Sequence, residues 1–359
     1  MSRNAHTQHA GFFCRLTIAA AILLAAFTGL AGDPVSIRPA HAGVVSIENT
    51  AAILDLQPDP SVVRTMVNSG VTTLTGRTNA VDAWQSLVST QDVVGIKVFS
   101  EPGMLSGTRP AVVAAVIEGL LAAGVPPQHI IIWDQHAYDL RDAGFSDLAA
   151  RLGVRVAGSA ETGYDDTNFY QPDTVVIGSL VWGDLEFGKT GDRVGRKSFL
   201  TRIVSQQITK IISIAPLLNQ EDIGVCGHLY SLALGSVDNI RRFEANPGRL
   251  AIAVPEIYAL PMLGDRVVLN ITDALLGQYE GGGRALLHYS AVPNQLWFSH
   301  DPVALDVLAI QELANERRAA GAPQLKPMLD LYANANLLQL GENSLQKIHV
   351  EKIRQIAAP

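Results

Sequence analysis

The sequence predicts an α/β protein whose sheet is mostly parallel or mixed and carries helices on both faces. Two observations support this prediction. Between residues 93 and 133, an apolar β-branched segment, a long Ala- and Leu-rich segment and a second apolar segment follow one another, which is the order of a β-α-β unit. Strand-like and helix-like segments then continue to alternate in the second half, as expected of a parallel sheet covered by helices.

The β-α-β unit is the clearest part of the pattern. Its first strand is predicted in "VVGIKVFS", residues 93–100, and its second in "IIIW", residues 130–133. The helix between them lies in "RPAVVAAVIEGLLAAG", where Pro110 suits the first turn and Gly124 the end. Further along, residues 146–152 are predicted to be helical, and residues 154–158 and 173–182 to be extended.

The second half repeats the alternation. Strands are predicted at residues 210–216 and 266–272, and a helix broken at Pro255 at residues 248–261. In the segment "HDPVALDVLAIQELANERR", Asp301 suits the N-cap and Pro302 the first turn of a helix.

A seam between two parts of the chain is predicted at residues 183–197. This segment is rich in glycine and in charges of both signs, which predicts a surface loop or hairpin. We therefore expect one domain, residues 43–359, made of two closely joined lobes at about 43–183 and 198–359.

The first 42 residues are typical of an export signal. Arg3 and Arg15 lie in a region without acids, residues 16–31 are apolar, and Ala40 and Ala42 form a small-residue cleavage site. We expect cleavage after Ala42, a periplasmic or secreted protein, and no membrane association after cleavage. The alternative is a retained anchor, because the apolar segment is about as long as the shortest membrane-spanning helices, roughly 17 residues.

Composition excludes two classes of partner or cofactor. Cleavage would remove three arginines and one aspartate and leave 24 basic and 33 acidic residues, a net charge of −9. Nucleic acid is a poor partner for such a surface. Of the two cysteines, only Cys226 would remain, which excludes a cysteine-ligated iron–sulfur cluster.

Acids and imidazoles follow the predicted strands, where open parallel sheets bind ligands. Asp134 and His136 are two residues apart, so an extended chain places both side chains on one face. With His228, they are candidate ligands of a divalent metal or candidate acid/base catalysts. Alternatively, Asp134 caps the next turn and His136 is an exposed loop residue.

A second set of residues is expected to hold a small anionic molecule. Lys97 lies inside a strand that otherwise looks buried, so its charge needs either a ligand or a counter-ion, and Asp134 on the neighbouring strand could supply the latter. Hydroxyls and a guanidinium gather at the start of the predicted helix, where free N–H groups attract anions. The candidate ligand-binding residues are Lys97, Ser106, Thr108, Arg109, Asp273 and Asp301, although Ser106, Thr108 and Asp301 also suit ordinary helix caps.

Several of these segments occur together in a known family. The chain contains "VGIKVFSEPGMLSGTRPAVVAAVIEGLLAAGV…IIIWD", "IISIAPLLNQEDIGVCGHLYSLALGSVDN", "LNITDAL" and "SHDPVALD". In this order they resemble the family called domain of unknown function 362, over residues 45–348. Many members look exported, and some carry ferredoxin-type cysteines that this chain lacks. Phe99 stands where an asparagine is common in the family, and a lysine is common near the position of Asn219.

The expectation from sequence is therefore an exported α/β protein that binds or transforms a small anionic molecule in a cleft at the strand ends. A divalent metal is a possible cofactor. The alternative is a non-catalytic envelope protein that handles a metal or a small metabolite.

Overall fold

A mixed, mostly parallel sheet forms the centre of the described chain. The computed structural model describes residues 42–189, 194–282 and 284–355. The strands are β1 (Ala42–Glu48), β2 (Ile53–Leu54), β3 (Gln57–Pro58), β4 (Val94–Lys97), β5 (Ile130–Asp134), β6 (Arg155–Gly158), β7 (Tyr164–Tyr170), β8 (Gly178–Ser179), β9 (Val194–Gly195), β10 (Ser198–Thr201), β11 (Lys210–Gln220), β12 (Gly224–Val225), β13 (Val267–Gln278), β14 (Ser290–Ala291), β15 (Gln295–Ser299) and β16 (Ile348–Arg354).

Helices connect most of these strands. They are α1 (Pro60–Thr75), α2 (Ala80–Leu87), α3 (Gly103–Ser106), α4 (Pro110–Ala122), α5 (Ala137–Asp142), α6 (Phe145–Leu152), α7 (Ser159–Thr162), α8 (His228–Gly235), α9 (Arg241–Glu244), α10 (Pro247–Tyr258), α11 (Pro302–Ala319) and α12 (Asp330–Leu337).

The sheet confirms the predicted fold class. Its strands lie in the order β16-β1-β15-β13-β11-β4-β5-β6. The neighbours from β13 to β6 are all parallel, whereas β15 runs antiparallel to both β13 and β1. The carboxyl ends of β4, β5 and β11 therefore meet at one edge of the sheet, which is where a ligand is expected.

Two apolar cores cover the two faces of the sheet, and β5 contributes to both. Ile130 and Ile132 pack into the core with α1, α2, α4 and α6, while Ile131 and Trp133 pack into the core with α8, α10, α11 and α12. Because successive strand residues point to opposite faces, a strand buried on both sides is apolar throughout. Each large apolar side chain buried in this way contributes about 1.5–3 kcal/mol.

The predicted β-α-β unit is confirmed as β4, α4 and β5. Pro110 occupies the first turn of α4, and Gly124 follows the helix with a φ of 94°. Glycine tolerates this left-handed conformation at no steric cost, so it ends the helix where the sequence predicts.

The two halves of the chain share one sheet. β11, from the second half, pairs directly with β4, from the first, and the described residues belong to a single unit. At the expected boundary, the short strands β8 and β9 pair in an antiparallel manner, and residues 190–193 lie outside the described residues. The sheet therefore runs through both predicted lobes.

Three segments differ from the sequence prediction. The apolar segment 173–182 contains only the short β8, the strand predicted at 266–272 continues to Gln278, and the edge strand β16 was not predicted. The half-exposed, alternating β16 has a weak apolar signal.

The expected export signal lies outside the described residues. In the described ranges, no helix is long and apolar enough to cross a membrane.

Candidate functional site

A buried ion pair lies at the carboxyl ends of β4 and β5. The Lys97 Nζ donates to Asp134 Oδ1 (2.7 Å), to the carbonyl oxygen of Val98 (2.6 Å) and to Ser231 Oγ (3.0 Å). Three acceptors match the three hydrogens of an ammonium, so this geometry describes a protonated lysine. The side chains of Lys97 and Asp134 are only 1% and 8% exposed.

The remaining Asp134 oxygen is also occupied. Ser100 donates to Asp134 Oδ2 from both its backbone N–H (2.7 Å) and its hydroxyl (2.7 Å). Burial lowers the pKa of Lys97, and the attraction of Asp134 partly offsets that effect. Each buried charge is thus paired and hydrogen-bonded, which burial requires.

Strand register and a glycine position this pair. Lys97 pairs with Trp133 across the parallel strands, which places Asp134 one residue beyond it. On the other side, Gly235 of α8 leaves room for the lysine, because a Cβ there would lie 2.4 Å from Lys97 Cε. The hydroxyl of Ser159 holds the Gly235 carbonyl at 2.7 Å. Any other residue at position 235 would displace the ammonium.

A small cavity, which we call the strand-end pocket, opens beside the ion pair. Its volume is about 40 Å³, and its lining residues are Phe99, Glu101, Asp134, Gln135, Tyr230, Ser231, Leu234, Gly235, Ile240 and Glu244. The Ser231 hydroxyl oxygen accepts from Lys97, so its own hydrogen is directed elsewhere. A cavity of this size holds little more than one small group, since a water molecule takes about 30 Å³ in the liquid.

Carboxylates dominate the electrostatics of the strand-end pocket. Desolvation, together with the charges of Asp134 and Glu244, raises the pKa of Glu101. Desolvation also raises the pKa of Glu244, which accepts a hydrogen bond from the Tyr230 hydroxyl at 3.2 Å. Among the described lining residues, none carries a positive charge. The pocket therefore favours a cationic group or a hydrogen-bond donor.

Asp139 is a further acid near this end of the sheet. Desolvation and the nearby charges of Asp134 and Glu101 raise its pKa to about 7. A carboxyl with such a pKa can take up and release a proton near neutral pH, as acid/base catalysis requires.

His136 does not join the ion pair. It is the residue before α5, half-buried, and its ring stacks on Tyr138 with centroids 4.9 Å apart. Its Nδ1 is buried without a hydrogen-bond partner among the described residues. Among the described residues, no hydrogen bond or ion pair joins His136 to Asp134, and the chain bends at Gln135 between β5 and α5.

His228 is a buried structural histidine. Its ring nitrogens contact Ser213 Oγ at 2.9 Å and Thr272 Oγ1 at 3.1 Å, and burial lowers its pKa to about 3. The buried carboxylate of Asp306 accepts from the backbone N–H groups of His228 and Leu229, at the start of α8. The imidazole is thus neutral and fully engaged between β11 and β13, with no position left for a metal.

The three predicted metal ligands are not brought together. Asp134 is occupied by Lys97 and Ser100, and His228 by two hydroxyls. Across residues 42–189, 194–282 and 284–355, no group of three or more His, Cys, Asp or Glu side chains is placed to hold a metal ion. The predicted Asp134-His136-His228 centre is therefore not assembled.

Arg109 and Asp273 form a second buried ion pair. Arg109 Nη1 lies 2.9 Å from Asp273 Oδ1, and the backbone N–H of Arg109 donates to Asp273 Oδ2 at 2.9 Å. The same guanidinium donates to the carbonyls of Leu105 and Leu276. Its charge is therefore already compensated by Asp273, and its Nη2 donates to the protein itself, while its Nε is buried without a hydrogen-bond partner among the described residues.

The hydroxyls next to Arg109 are also occupied. Ser106 donates to Gln278 Oε1 at 2.7 Å, and Thr108 donates to the Ile214 carbonyl at 2.7 Å while accepting from the Phe99 N–H. These bonds fix the loop between β4 and α4 onto β11 and β13. Asp301 is an N-cap, as its alternative interpretation predicted, because Oδ1 accepts from Ala304 N at 2.9 Å.

Sequence reasoning missed four residues of the strand-end pocket: Glu101, Ser231, Gly235 and Glu244. Glu101 comes directly after the strand predicted at residues 93–100, so the strand-end rule could have included it. Ser231 is three residues after His228, so the helical spacing places them on neighbouring positions of one face. Gly235 and Glu244 gave no local signal, because their role depends on how α8 and α9 pack over the sheet.

Comparison with known proteins identifies no family. No family model matches the chain, and no curated protein matches it. Among solved structures, a structural-genomics protein from Thermotoga maritima is similar, with 11% identity and a TM-score of 0.37. The match covers 74% of this chain and 60% of that chain, which is less than two thirds of the length of that protein. A likeness this low supports no argument about function.

Proposed function

We propose that this protein binds a small molecule through the strand-end pocket. The observation that carries the proposal is the Lys97-Asp134 pair, with Ser100 and Ser231 fixed around it at the carboxyl ends of two parallel strands. Open α/β sheets bind their ligands at this place. The pair is rigid and buried, so it presents the pocket with a preorganised polar wall.

The charge of the proposed ligand is inferred from Lys97 and Arg109, the two cations expected to bind it, because both are already paired with carboxylates. Lys97 and Arg109 are each neutralised by a carboxylate, at 2.7 and 2.9 Å. The strand-end pocket instead contains Glu101 and Glu244 in addition to Asp134. In place of the expected anion, we propose a ligand whose ammonium or other donor group enters the pocket, with the rest of the molecule outside it.

The proposed binding of a ligand in the strand-end pocket has an enzymatic version and a non-catalytic version. In the enzymatic version, Asp139, which lies outside the lining of the pocket but near enough to Asp134 and Glu101 for their charges to raise its pKa, exchanges a proton with the part of the ligand that remains outside. In the other, the pocket only binds its ligand, as an envelope binding protein would. Membership of the domain of unknown function 362 family and export by the N-terminal segment belong to the same proposal, and the quoted motifs and the apolar segment support them.

The binding test compares matched fragments by thermal shift and calorimetry. Propylamine should stabilise the mature protein, whereas propionate should not. Ser231→Ala and Glu244→Gln should weaken the binding of propylamine, each by about tenfold if one charge-assisted hydrogen bond is lost. Glu118→Gln, on the opposite face of the sheet, is the matched control. Stronger binding of propionate, or unchanged binding in both pocket variants, would contradict the proposal.

The second test separates catalysis from binding. A panel of larger primary amines is first screened for stabilisation, and each binder is then followed for chemical change by mass spectrometry. In the enzymatic version, Asp139→Asn abolishes turnover and leaves affinity within a few-fold. If no binder is converted by the wild-type protein, the binding version is retained.

A further inference from the structure

A second cavity lies between residues 170–176 and helix α10. Its volume is about 190 Å³, and Tyr170, Phe243 and Ala253 form an apolar wall. These three side chains are at most 6% exposed, so the wall belongs to the core. An apolar cavity of roughly 150 Å³ is known to accept benzene. This cavity, which we call the α10 pocket, is therefore large enough for one ring or one branched aliphatic side chain.

A buried arginine holds the wall of the α10 pocket in place. The guanidinium of Arg242 donates to the carbonyl oxygens of Tyr170 (3.3 Å) and Val176 (3.1 Å), at the two ends of the segment, and to Ser198 Oγ (2.8 Å). Arg242 is 1% exposed and lies 4.4 Å from the centre of the Phe243 ring. The segment is therefore anchored at both ends, and the cavity exists before any ligand enters.

The rim of the α10 pocket carries opposite charges that do not neutralise each other. Arg249 uses Nη1 to bind the carbonyl of Arg242 at 3.1 Å, which leaves the rest of its guanidinium to the cavity. In the described part of the chain, Arg249 and Asp173 form no ion pair. Glu256 accepts the hydroxyl of Tyr170. One guanidinium and two carboxylates thus line the rim of an apolar cavity, and of the two carboxylates Glu256 is already bonded to Tyr170.

We propose that the α10 pocket binds a free α-amino acid with one aromatic or branched apolar side chain. The side chain would lie against Tyr170 and Phe243, the carboxylate against Arg249 and the ammonium against Asp173. Aromatic side chains make favourable offset contacts with such a wall, and a guanidinium is well suited to a carboxylate. This inference concerns a different cavity from the strand-end pocket and does not depend on the function proposed above.

The charge pattern distinguishes a free amino acid from the end of a peptide. A peptide N-terminus offers the ammonium without the carboxylate, and a C-terminus offers the carboxylate without the ammonium. Only the free amino acid satisfies Asp173 and Arg249 together. Three probes follow from this: L-phenylalanine, phenylalanine amide and N-acetylphenylalanine.

The experiment is calorimetric titration of the mature chain with each probe. We expect L-phenylalanine to bind, and each blocked analogue to bind about tenfold more weakly, because each loses one charge-assisted contact. L-Alanine, which lacks the ring, should not bind detectably. Arg249→Gln and Asp173→Asn should each reduce the affinity for L-phenylalanine by about tenfold. Both positions are exposed, so folding is not at risk.

Two further variants sharpen the test. Ala253→Leu fills the apolar wall and should abolish binding, while Arg318→Gln, an exposed arginine on α11, should leave it unchanged. Failure of L-phenylalanine to bind at millimolar concentration would overturn the inference. So would equal affinity for all three probes, or undiminished affinity in both Arg249→Gln and Asp173→Asn. Because Ser231→Ala leaves the α10 pocket intact, the two proposed sites fail independently.

Discussion

Removal of the Asp134 carboxylate should destabilise the protein severely. Asp134→Asn keeps the size of the side chain but leaves the Lys97 ammonium in the core without a counter-charge. Loss of one partner of a buried ion pair costs about 3–5 kcal/mol, because the other charge stays buried and unpaired. The folded-to-unfolded ratio would then fall by more than about a hundredfold.

The stability lost in Asp134→Asn should depend on pH, and the direction of that dependence follows from the protonation of Lys97. Burial already lowers the pKa of Lys97, and Asp134→Asn removes the two interactions with Asp134 that raise it. The folded-state pKa then lies further below the unfolded value of about 10.4, so the unfolded state binds more protons between the two values. Stability therefore rises with pH in that window, and the cost of Asp134→Asn shrinks as the pH increases.

Urea denaturation of both proteins at about pH 6 and about pH 9 measures this effect. Lys97→Met and the double variant Lys97→Met/Asp134→Asn complete a mutant cycle, in which the double variant should be more stable than the sum of the single losses by about 1–3 kcal/mol. Glu118→Gln, in a solvent-exposed ion pair, should cost less than either buried change. A cost below about 1 kcal/mol for Asp134→Asn at both pH values, or an additive cycle, would refute the argument.

Three further outcomes are expected. Gly235→Ala should destabilise the protein by about 1–3 kcal/mol in denaturant unfolding, since the new methyl group overlaps the Lys97 side chain, whereas the methyl group of Gly43→Ala meets no atom within 4 Å. Arg109→Met should cost about 3–5 kcal/mol, and addition of phosphate should not protect the wild-type protein if Arg109 is only structural. Burial raises the pKa of Asp306 to about 7, so the folded state binds the extra proton and this group makes stability fall as the pH rises from about 4 to about 7. Asp306→Asn should flatten that slope in a pH series of unfolding curves, and an unchanged slope would exclude Asp306 as its source.

The elements that the sequence predicts best are those whose own residues decide whether they are buried, without a partner from a distant part of the chain. β4, α4 and β5 are apolar over their whole length, and Pro110 and Gly124 mark the helix ends, so few residues decide the outcome. The segment 173–182 is also apolar, yet it remains mostly irregular. Its backbone is held by Arg242, which lies more than sixty positions later in the chain. An apolar pattern reports that a segment can be buried, but the partner decides its conformation.

The same reasoning explains where the structure places the predicted site residues. Lys97 and Asp134 do lie together at the strand ends, as the strand-end rule predicts. However, a cation buried in a parallel sheet must be neutralised, and the nearest available acid is the one at the end of the neighbouring strand. Residues that look like ligand anchors in such a sequence therefore neutralise each other first, and Arg109 with Asp273 repeats the pattern. The charge offered to a ligand comes from what remains, here Glu101 and Glu244, and their approach depends on the packing of α8 and α9 over the sheet. For a sheet of this kind, ligand charge is better inferred after the buried pairs have been subtracted than from the strand-end residues alone.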